Sequence, residues 1–445
     1  MIQKTVGIIG GGPAGIATAI QLKQHGFDVS LFDASAADKI TVGEHLAAEA
    51  LHEFRKLKIP EHILKEHSIP CAEVQNAWGQ SEVHFNESIF NPFGDSYILS
   101  RPDFDQALLR YCEEIGIHVF WNTRVSKVNP SENQWNLVHK NGKLIIDFLV
   151  DASGRTSKFN FGVQSVKKSS KDSLIGITKH LTSEKISDLT HLLVESTSNG
   201  WWYTVQIASG KFISTFMTDP KILSRSKQSH SEFWKAALEN SVHTQKRLDT
   251  LSIPSETFVQ SAHSQLAQHI VGNNWAKVGD AAQSYDPLSS AGIIKGFKMG
   301  ISCGTALYKF TQGESNALLE YEQGVKDQYQ EYLDKRDEYY QQEIRWMDQP
   351  FWYHRILSIP QIQQFSITPI SQLKVQQEHL DDKLSFLQNQ VSEVDFKLLV
   401  NSISQYPLAK DAITHYLRSK QQTAINPQLM YGMEALKLIG VLQSH

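Results

Sequence analysis

The chain has 445 residues, 41% of them apolar, enough to bury a substantial core spread over two or three structural units. Its formal net charge of -4 gives no general electrostatic reason to expect nucleic acid or an acidic membrane surface as a partner. Cys71, Cys112 and Cys303 are widely spaced, odd in number and without metal-ligand or C-x-x-C spacing, which argues against a disulfide framework or a metal site and fits a reducing compartment.

The first element is an apolar run, Val6-Gly7-Ile8-Ile9, that breaks into Gly10-Gly11-Gly12-Pro13-Ala14-Gly15 and continues as an apolar-periodic helix ending at Gly26. Gly10 is read as the turn, Gly12 as the point where the backbone comes close to a pyrophosphate, and Gly15 as the contact between helix and strand. A second run, Val29-Ser30-Leu31-Phe32, ends in Asp33, where this fingerprint needs an acid for a ribose hydroxyl. Whether the dinucleotide is NAD or FAD stays open at this point. No charged leader precedes a long apolar core and no run of about twenty apolar residues occurs, so a cytoplasmic protein without a membrane span is expected.

Gly43-Glu44-His45 follows at the mouth of the dinucleotide fold, before a helical pattern that runs through Leu57 and is ended by Pro60. Residues 70 to 99 alternate in short runs that suggest strands of a separate sheet, and Arg101-Pro102-Asp103 opens a helix that runs to Gly116. Leu144 to Val150 is expected to be one buried strand, ending in Asp151-Ala152-Ser153-Gly154-Arg155. Lys167, Lys168 and Lys171 read as a solvated turn. Strands then dominate to about residue 270, with the aromatic group Gly200-Trp201-Trp202-Tyr203 and one helix from Phe233 to Leu248. Gly279-Asp280 leads through Pro287 to Ala291-Gly292 and into a helix, Ile293 to Leu307, whose N-terminus could face a partial negative charge. Beyond it, Leu318, Tyr321, Val325, Tyr329 and Tyr332 form one helical face, read as a packing stripe.

With the Gly10 loop, Asp151-Ala152-Ser153-Gly154-Arg155 and Gly279-Asp280 to Gly292 in that order, the chain resembles a flavin-dependent monooxygenase of the para-hydroxybenzoate hydroxylase superfamily. Val42-Gly43-Glu44 and Asp286-Pro287-Leu288-Ser289-Ser290-Ala291-Gly292 resemble the branch of the tryptophan halogenases and their non-halogenating relatives. Two departures separate it from the halogenases. Their Trp-x-Trp-x-Ile-Pro motif is replaced by Trp201-Trp202-Tyr203-Thr204-Val205-Gln206, and no lysine occurs from Glu66 to Leu99. Gly200 to Tyr203, the Asn76-Ala77-Trp78-Gly79 turn and Phe351-Trp352 resemble the flavoproteins that mature cysteine tryptophylquinone in lysine and glycine oxidases.

The resemblance implies an α/β fold in which a Rossmann-like FAD-binding domain (1–75, 99–160 and 270–312) carries an inserted, mostly antiparallel substrate sheet (76–98 and 161–269), followed by a helical C-terminal region (313–445). It implies that Gly10, Gly12, Gly15 and Asp33 hold the ADP part of FAD, Arg101 the pyrophosphate side, Asp280 the ribityl side, and Pro287, Ala291 and Gly292 the ring. Pro13, Ala14, Ala34, Glu44, Val125, Ser153, Gly154 and Gly279 complete the expected cofactor contacts. Glu44 and His45 are the candidates for a catalytic polar role, and Trp201, Trp202 and Tyr203 for contact with substrate. The implied reaction is hydroxylation of a protein-bound tryptophan in the precursor of a quinoprotein oxidase, with molecular oxygen as co-substrate and NAD(P)H at most a transient visitor. A monooxygenase of a small aromatic metabolite and a non-catalytic flavin-containing maturation chaperone stand as alternatives.

Overall fold

The computed structural model describes residues 3–34, 43–71, 73–87, 93–159, 161, 168–170, 172–183, 191–208, 210–346 and 349–356, with short isolated stretches after 364. Val42, Lys167, Lys171 and nearly all of the tail from Gln376 lie outside the described residues. The chain divides into two compact units. The first comprises Met1–Ala77, Glu82–Glu195 and Trp201–Arg336; the second comprises Trp78–Ser81, Ser196–Gly200 and Asp337–His445.

The first unit is built on a six-stranded sheet in the spatial order Val271–Gly272, Trp275–Lys277, Phe148–Asp151, Thr5–Ile9, Asp28–Phe32, His118–Phe120. All neighbours run parallel except the outermost Val271–Gly272 pair. Parallel strands are covered on both faces, which is why Val6, Ile8, Val29, Leu31, Leu149 and Val150 are all fully buried. Helices Pro13–Gln24 and Gly292–Thr311 pack on this sheet and on each other. Their axes come close because Gly300 and Gly304 face Ala17 and Gln21: a Cβ on Gly300 would stand 2.5 Å from the Ala17 Cβ.

One expected element divides. The run Leu144 to Val150 is two strands, Gly142–Ile146 in an antiparallel meander with Val125–Ser131 and Gln134–His139, and Phe148–Asp151 in the parallel sheet. Asp147 separates them, because its carboxylate accepts from the Thr5 amide and hydroxyl and from Gln134 Nε2, so it cannot continue a buried ladder. The single helix expected from Phe233 to Leu248 also divides, into His230–Glu239 and His243–Leu248. Ser229 and Glu232 close a capping box on the first. The second starts where the buried Glu195 carboxylate accepts the amides of Val242, His243 and Thr244, a cap supplied from a distant strand.

A seven-stranded sheet runs in the order Phe258–Ser261, Ile175–Thr182, Lys211–Thr218, Gly200–Ala208, His191–Thr197, Glu73–Ala77, His84–Glu87. One face is covered by helices His230–Glu239 and His243–Leu248 over Ile177, Leu181, Trp202, Phe212 and Phe216. The aromatic stripe of helix Ala317–Gln341 is buried as a packing face; Tyr321 donates to the Lys277 carbonyl, and the Tyr332 hydroxyl accepts the Asp286 amide.

The second unit has its own polar centre. Fully buried Glu343 accepts from the Gly79 amide and the Ser196 hydroxyl and pairs with Arg345. Around it Trp78 meets Tyr340 and Trp352 edge to face, and Trp352 Nε1 donates to the Thr197 carbonyl.

Candidate functional site

The glycine loop leaves strand Thr5–Ile9 at Gly10, whose φ of +119° and closeness to Ala152 exclude a side chain: a Cβ there would stand 2.2 Å from the Ala152 oxygen. A Cβ on Gly15 would stand 1.9 Å from the Gly10 oxygen, so Gly15 holds helix against loop. Gly12 differs, because a Cβ there would meet nothing within 4 Å. No protein atom therefore requires glycine at 12, and the space in front of it is free for a phosphate. Gly12 also begins helix Pro13–Gln24, whose first turn has neither a side-chain cap nor an acid, which leaves amide donors for an anion.

A cavity of about 930 Å³ opens at this loop. Of the expected cofactor residues, Gly10, Gly12, Asp33, Ala34, Arg101, Val125, Ser153 and Gly154 line it. Its size suits the adenosine diphosphate end of a dinucleotide. Ser153 is held by its amide and hydroxyl to the Asp151 carboxylate, whose other oxygen accepts from Ser157. Pro13, Ala14, Gly15, Glu44, Gly279, Asp280, Pro287, Ala291 and Gly292 are not among the lining residues. Gly279 nevertheless abuts the loop, its Cβ position lying 2.6 Å from the Ala14 Cβ. The two glycine motifs therefore meet.

Asp280 next to Gly279 is held by two cations: Lys295 Nζ at 2.7 Å and Arg155 Nε at 3.1 Å. Burial would raise its carboxyl, but Lys295 and Arg155 bring it below the ordinary range. Lys295 itself is buried, donates also to the Gln283 carbonyl and lies 4.3 Å over the Tyr285 ring. Sequence reading missed Lys295, although one lysine inside an apolar helix run is a buried charge that must find a partner. Pro287 opens a short 3-10 turn capped by Asp286, which leads to Ala291 and the N-terminus of Gly292–Thr311; no side chain caps that helix and its first turn has no acid. A Cβ on Gly292 would meet nothing within 4 Å. Asp286 is fully buried, and Arg336, 3.4 Å away, bridges it to Asp172. Nothing in the local sequence marks that pairing.

Glu44 is buried beside Arg101, which donates to the Gly43 carbonyl and holds Asp105 through two nitrogens. Burial pushes the Glu44 carboxyl up, with Arg101 opposing it. Tyr203 faces Glu44 from strand Gly200–Ala208; burial, and then the carboxylate, lift its phenol well above the ordinary value. Glu44 Oε1 and Tyr203 Oη have no hydrogen-bond partner, and the same holds for buried Gln283 Oε1 and Ser284 Oγ near Lys295. His45 pairs Nε2 with the Ser96 hydroxyl, which donates to the Cys71 carbonyl, so Nε2 carries the hydrogen and Nδ1 is a bare acceptor. Burial lowers the His45 ring to about 4, which keeps it neutral. Trp202 is not brought to Glu44: strand alternation turns it to the opposite face, 5.0 Å from Trp234 in the core. Trp201 is fully buried.

Two uncapped helix starts, open space at Gly12 and Gly292, and unpartnered buried polar atoms fit a bound dinucleotide. Residues 3–335 match the family described as FAD binding domain. The chain belongs to this FAD-binding-domain family and is an FAD-dependent oxidoreductase. It is 31% identical over 358 residues to LodB of Marinomonas mediterranea, described as an FAD-dependent oxidoreductase, a match covering 78% of this chain and 95% of that protein. In fold it is similar to QhpG, a peptidyl tryptophan dihydroxylase essential for tryptophylquinone cofactor biogenesis, with a TM-score of 0.68, 20% identity and coverage of 84% of this chain and 85% of that one. It is likewise similar to the flavin-dependent halogenase CmlS, with a TM-score of 0.73, 16% identity and coverage of 100% and 96%.

Proposed function

We propose that this oxidoreductase is a monooxygenase that hydroxylates a tryptophan side chain in a partner protein, the precursor of a quinoprotein amine or amino-acid oxidase, as a step toward cysteine tryptophylquinone. The carrying observation is the continuity of the site: Arg101 lines the cofactor cavity, Glu44 lies beside Arg101, and Tyr203 of the second sheet faces Glu44. The likeness to LodB supports the FAD-dependent oxidoreductase, and the fold shared with QhpG, a peptidyl tryptophan dihydroxylase, is compatible with a protein-bound tryptophan as substrate.

In this reading the amides of Gly12, Ala14 and Gly15 hold the pyrophosphate, Asp33 and Ala34 the ribose side, and Asp280 the ribityl chain. Pro287 to Gly292 lie along the ring, with Pro13, Ala14, Val125, Ser153, Gly154 and Gly279 shaping the walls. When bound and reduced, FAD would supply, with molecular oxygen, the hydroxylating atom. The chain's own tasks are to exclude water, orient the indole and accept its proton. A protein substrate binds through surface far from the ring, and that free energy orients the indole, so free tryptophan is a poor substrate. Three buried free cysteines suit a cytoplasmic site of action. No helix of the described residues is long and apolar enough to cross a membrane.

The test is co-expression with the partner precursor, with and without Gly12→Val, followed by peptide masses of the partner. Added oxygen on tryptophan is expected only with the unmodified chain. The same oxygen atoms in both cases would assign the hydroxylation to another protein. A turnover screen of free indoles and phenols separates the small-molecule alternative, and loss of maturation on cofactor-site substitution counts against a redox-silent chaperone.

Halide is not expected to enter tryptophan, free or peptide-bound, when reduced flavin and oxygen are supplied. Tyr203 stands where the halogenase motif has its second tryptophan, and no lysine occurs from Glu66 to Leu99 to hold hypohalous acid. Chlorinated or brominated product at catalytic turnover would overturn this.

A further inference from the structure

Aromatic hydroxylation leaves one chemical task to the protein. The C–O bond forms with an oxygen atom from molecular oxygen, two electrons come from the reduced flavin, and the second oxygen atom leaves as water. The ring carbon must then lose its hydrogen as a proton, so that the C–H electron pair returns to the ring. A base placed within the site speeds such a transfer by about a hundredfold to ten thousandfold.

Among the described residues Glu44 is suited to the task by placement. It is 2% exposed, and Oε1 has no hydrogen-bond partner although buried carboxylate oxygens almost always find one. Tyr203, 9% exposed, faces this carboxylate closely enough for its hydroxyl to stabilise the charge, although that hydroxyl has no partner at ordinary hydrogen-bond geometry. Two orphaned polar groups turned toward each other in a buried place are a costly arrangement for stability alone. The charged and titratable groups that face the pair are Arg101, from helix Arg101–Glu114, beside Glu44, and Cys71, from strand Ser68–Cys71, beside Tyr203. Arg101 has its Nε and both terminal nitrogens committed to Asp105 and Gly43. It therefore holds the local field while Glu44 Oε1 is buried without a partner. His45 is turned away to Ser96.

We propose that Glu44 and Tyr203 form one proton-accepting pair, Glu44 the base and Tyr203 the hydroxyl through which the ring proton reaches it. The proton then passes to the oxygen atom that leaves as water, which restores the carboxylate. This rests on the monooxygenase reading above, and it goes beyond that reading by assigning the proton's route. Tyr203 relays the proton and also stabilises the Glu44 carboxylate, so its loss moves the carboxyl further up. The sign follows: a base works when deprotonated, so activity falls as pH drops through the raised Glu44 value, and removing the Tyr203 hydroxyl moves that acid limb to higher pH.

The experiment has two arms on the full chain carrying FAD. In the first, infrared difference spectra between acid and neutral pH are recorded for the unmodified protein, Glu44→Gln, Glu44→Asp and Tyr203→Phe, with no substrate present. A protonated-carboxyl band is expected in the unmodified protein and in Glu44→Asp, absent in Glu44→Gln, and persisting to higher pH in Tyr203→Phe. In the second, hydroxylation of the co-purified partner is followed against pH. Glu44→Gln is expected to lose about a hundredfold or more and its acid limb. Tyr203→Phe, which removes the relay, is expected to lower the rate at every pH and to keep the limb, displaced to higher pH. An unchanged band in Glu44→Gln, or one that titrates identically in Tyr203→Phe, overturns the pair. Failure of the unmodified chain to hydroxylate any partner while the infrared arm behaves as expected strikes the functional reading and leaves the pair standing.

Discussion

Gly12→Val is expected to give a folded chain that carries no FAD. The structure separates this glycine from its neighbours in the same loop. A Cβ on Gly10 or Gly15 runs into backbone, 2.2 Å from the Ala152 oxygen or 1.9 Å from the Gly10 oxygen, so substitution there breaks the junction of strand and helix. A Cβ on Gly12 meets no protein atom within 4 Å. The branched side chain would instead occupy the space in front of the free amides of helix Pro13–Gln24, where the pyrophosphate must approach. Loss of those contacts should weaken FAD by more than about 4 kcal/mol, a factor of about a thousand in Kd. Melting of the cofactor-free protein should change by no more than about 0.5 kcal/mol, as for a substitution facing solvent. The check is flavin absorbance per chain together with thermal melting after the cofactor is stripped. Gly15→Ala serves as the contrast and should lower the melting temperature of the stripped protein. Normal flavin content in Gly12→Val would remove the pyrophosphate from this loop.

The glycine loop was legible because its signals are local. Strand, turn, helix, second strand and acid follow one another from Val6 to Asp33, and the structure pairs the two strands in parallel as that order implies. The motif around Gly279 and the helix starting at Gly292 were legible for the same reason. What stayed hidden depends on partners far along the chain. Asp147 breaks an apolar run because Thr5 and Gln134 take its carboxylate, and the helix starting at His243 exists as a separate element because Glu195 caps it. Lys295 and Arg155 converge on Asp280 from two segments that show no common pattern. Glu44 could be marked as a candidate from Gly-Glu-His, but its approach to Tyr203 is a property of the fold, since Tyr203 lies in the seven-stranded sheet and Glu44 just before strand His45–Leu46 of another.

Trp202→Ala is expected to destabilise the first unit by about 3 to 5 kcal/mol, the range for removing a large aromatic from a packed core. Sequence reading grouped Trp201, Trp202 and Tyr203 as contacts for substrate, but a strand places successive side chains on opposite faces. Trp202 points under helix His230–Glu239, where its ring meets Phe216 at 4.8 Å and Trp234 edge-on at 5.0 Å, and it is fully buried. Its indole Nε1 has no hydrogen-bond partner, so the ring is held by packing alone. Trp202→Phe, which keeps an aromatic ring and removes the orphaned donor, should lose less than Trp202→Ala, because it leaves the smaller cavity. Tyr203→Phe, one position along, should cost far less stability than Trp202→Ala because it keeps the ring and removes only the hydroxyl, and its effect should fall on the reaction. Thermal melting of the three variants, set beside their hydroxylation of the partner, separates the two faces of the strand. A Trp202→Ala protein that melts like the parent but fails to hydroxylate would place Trp202 against substrate and reverse the assignment of faces.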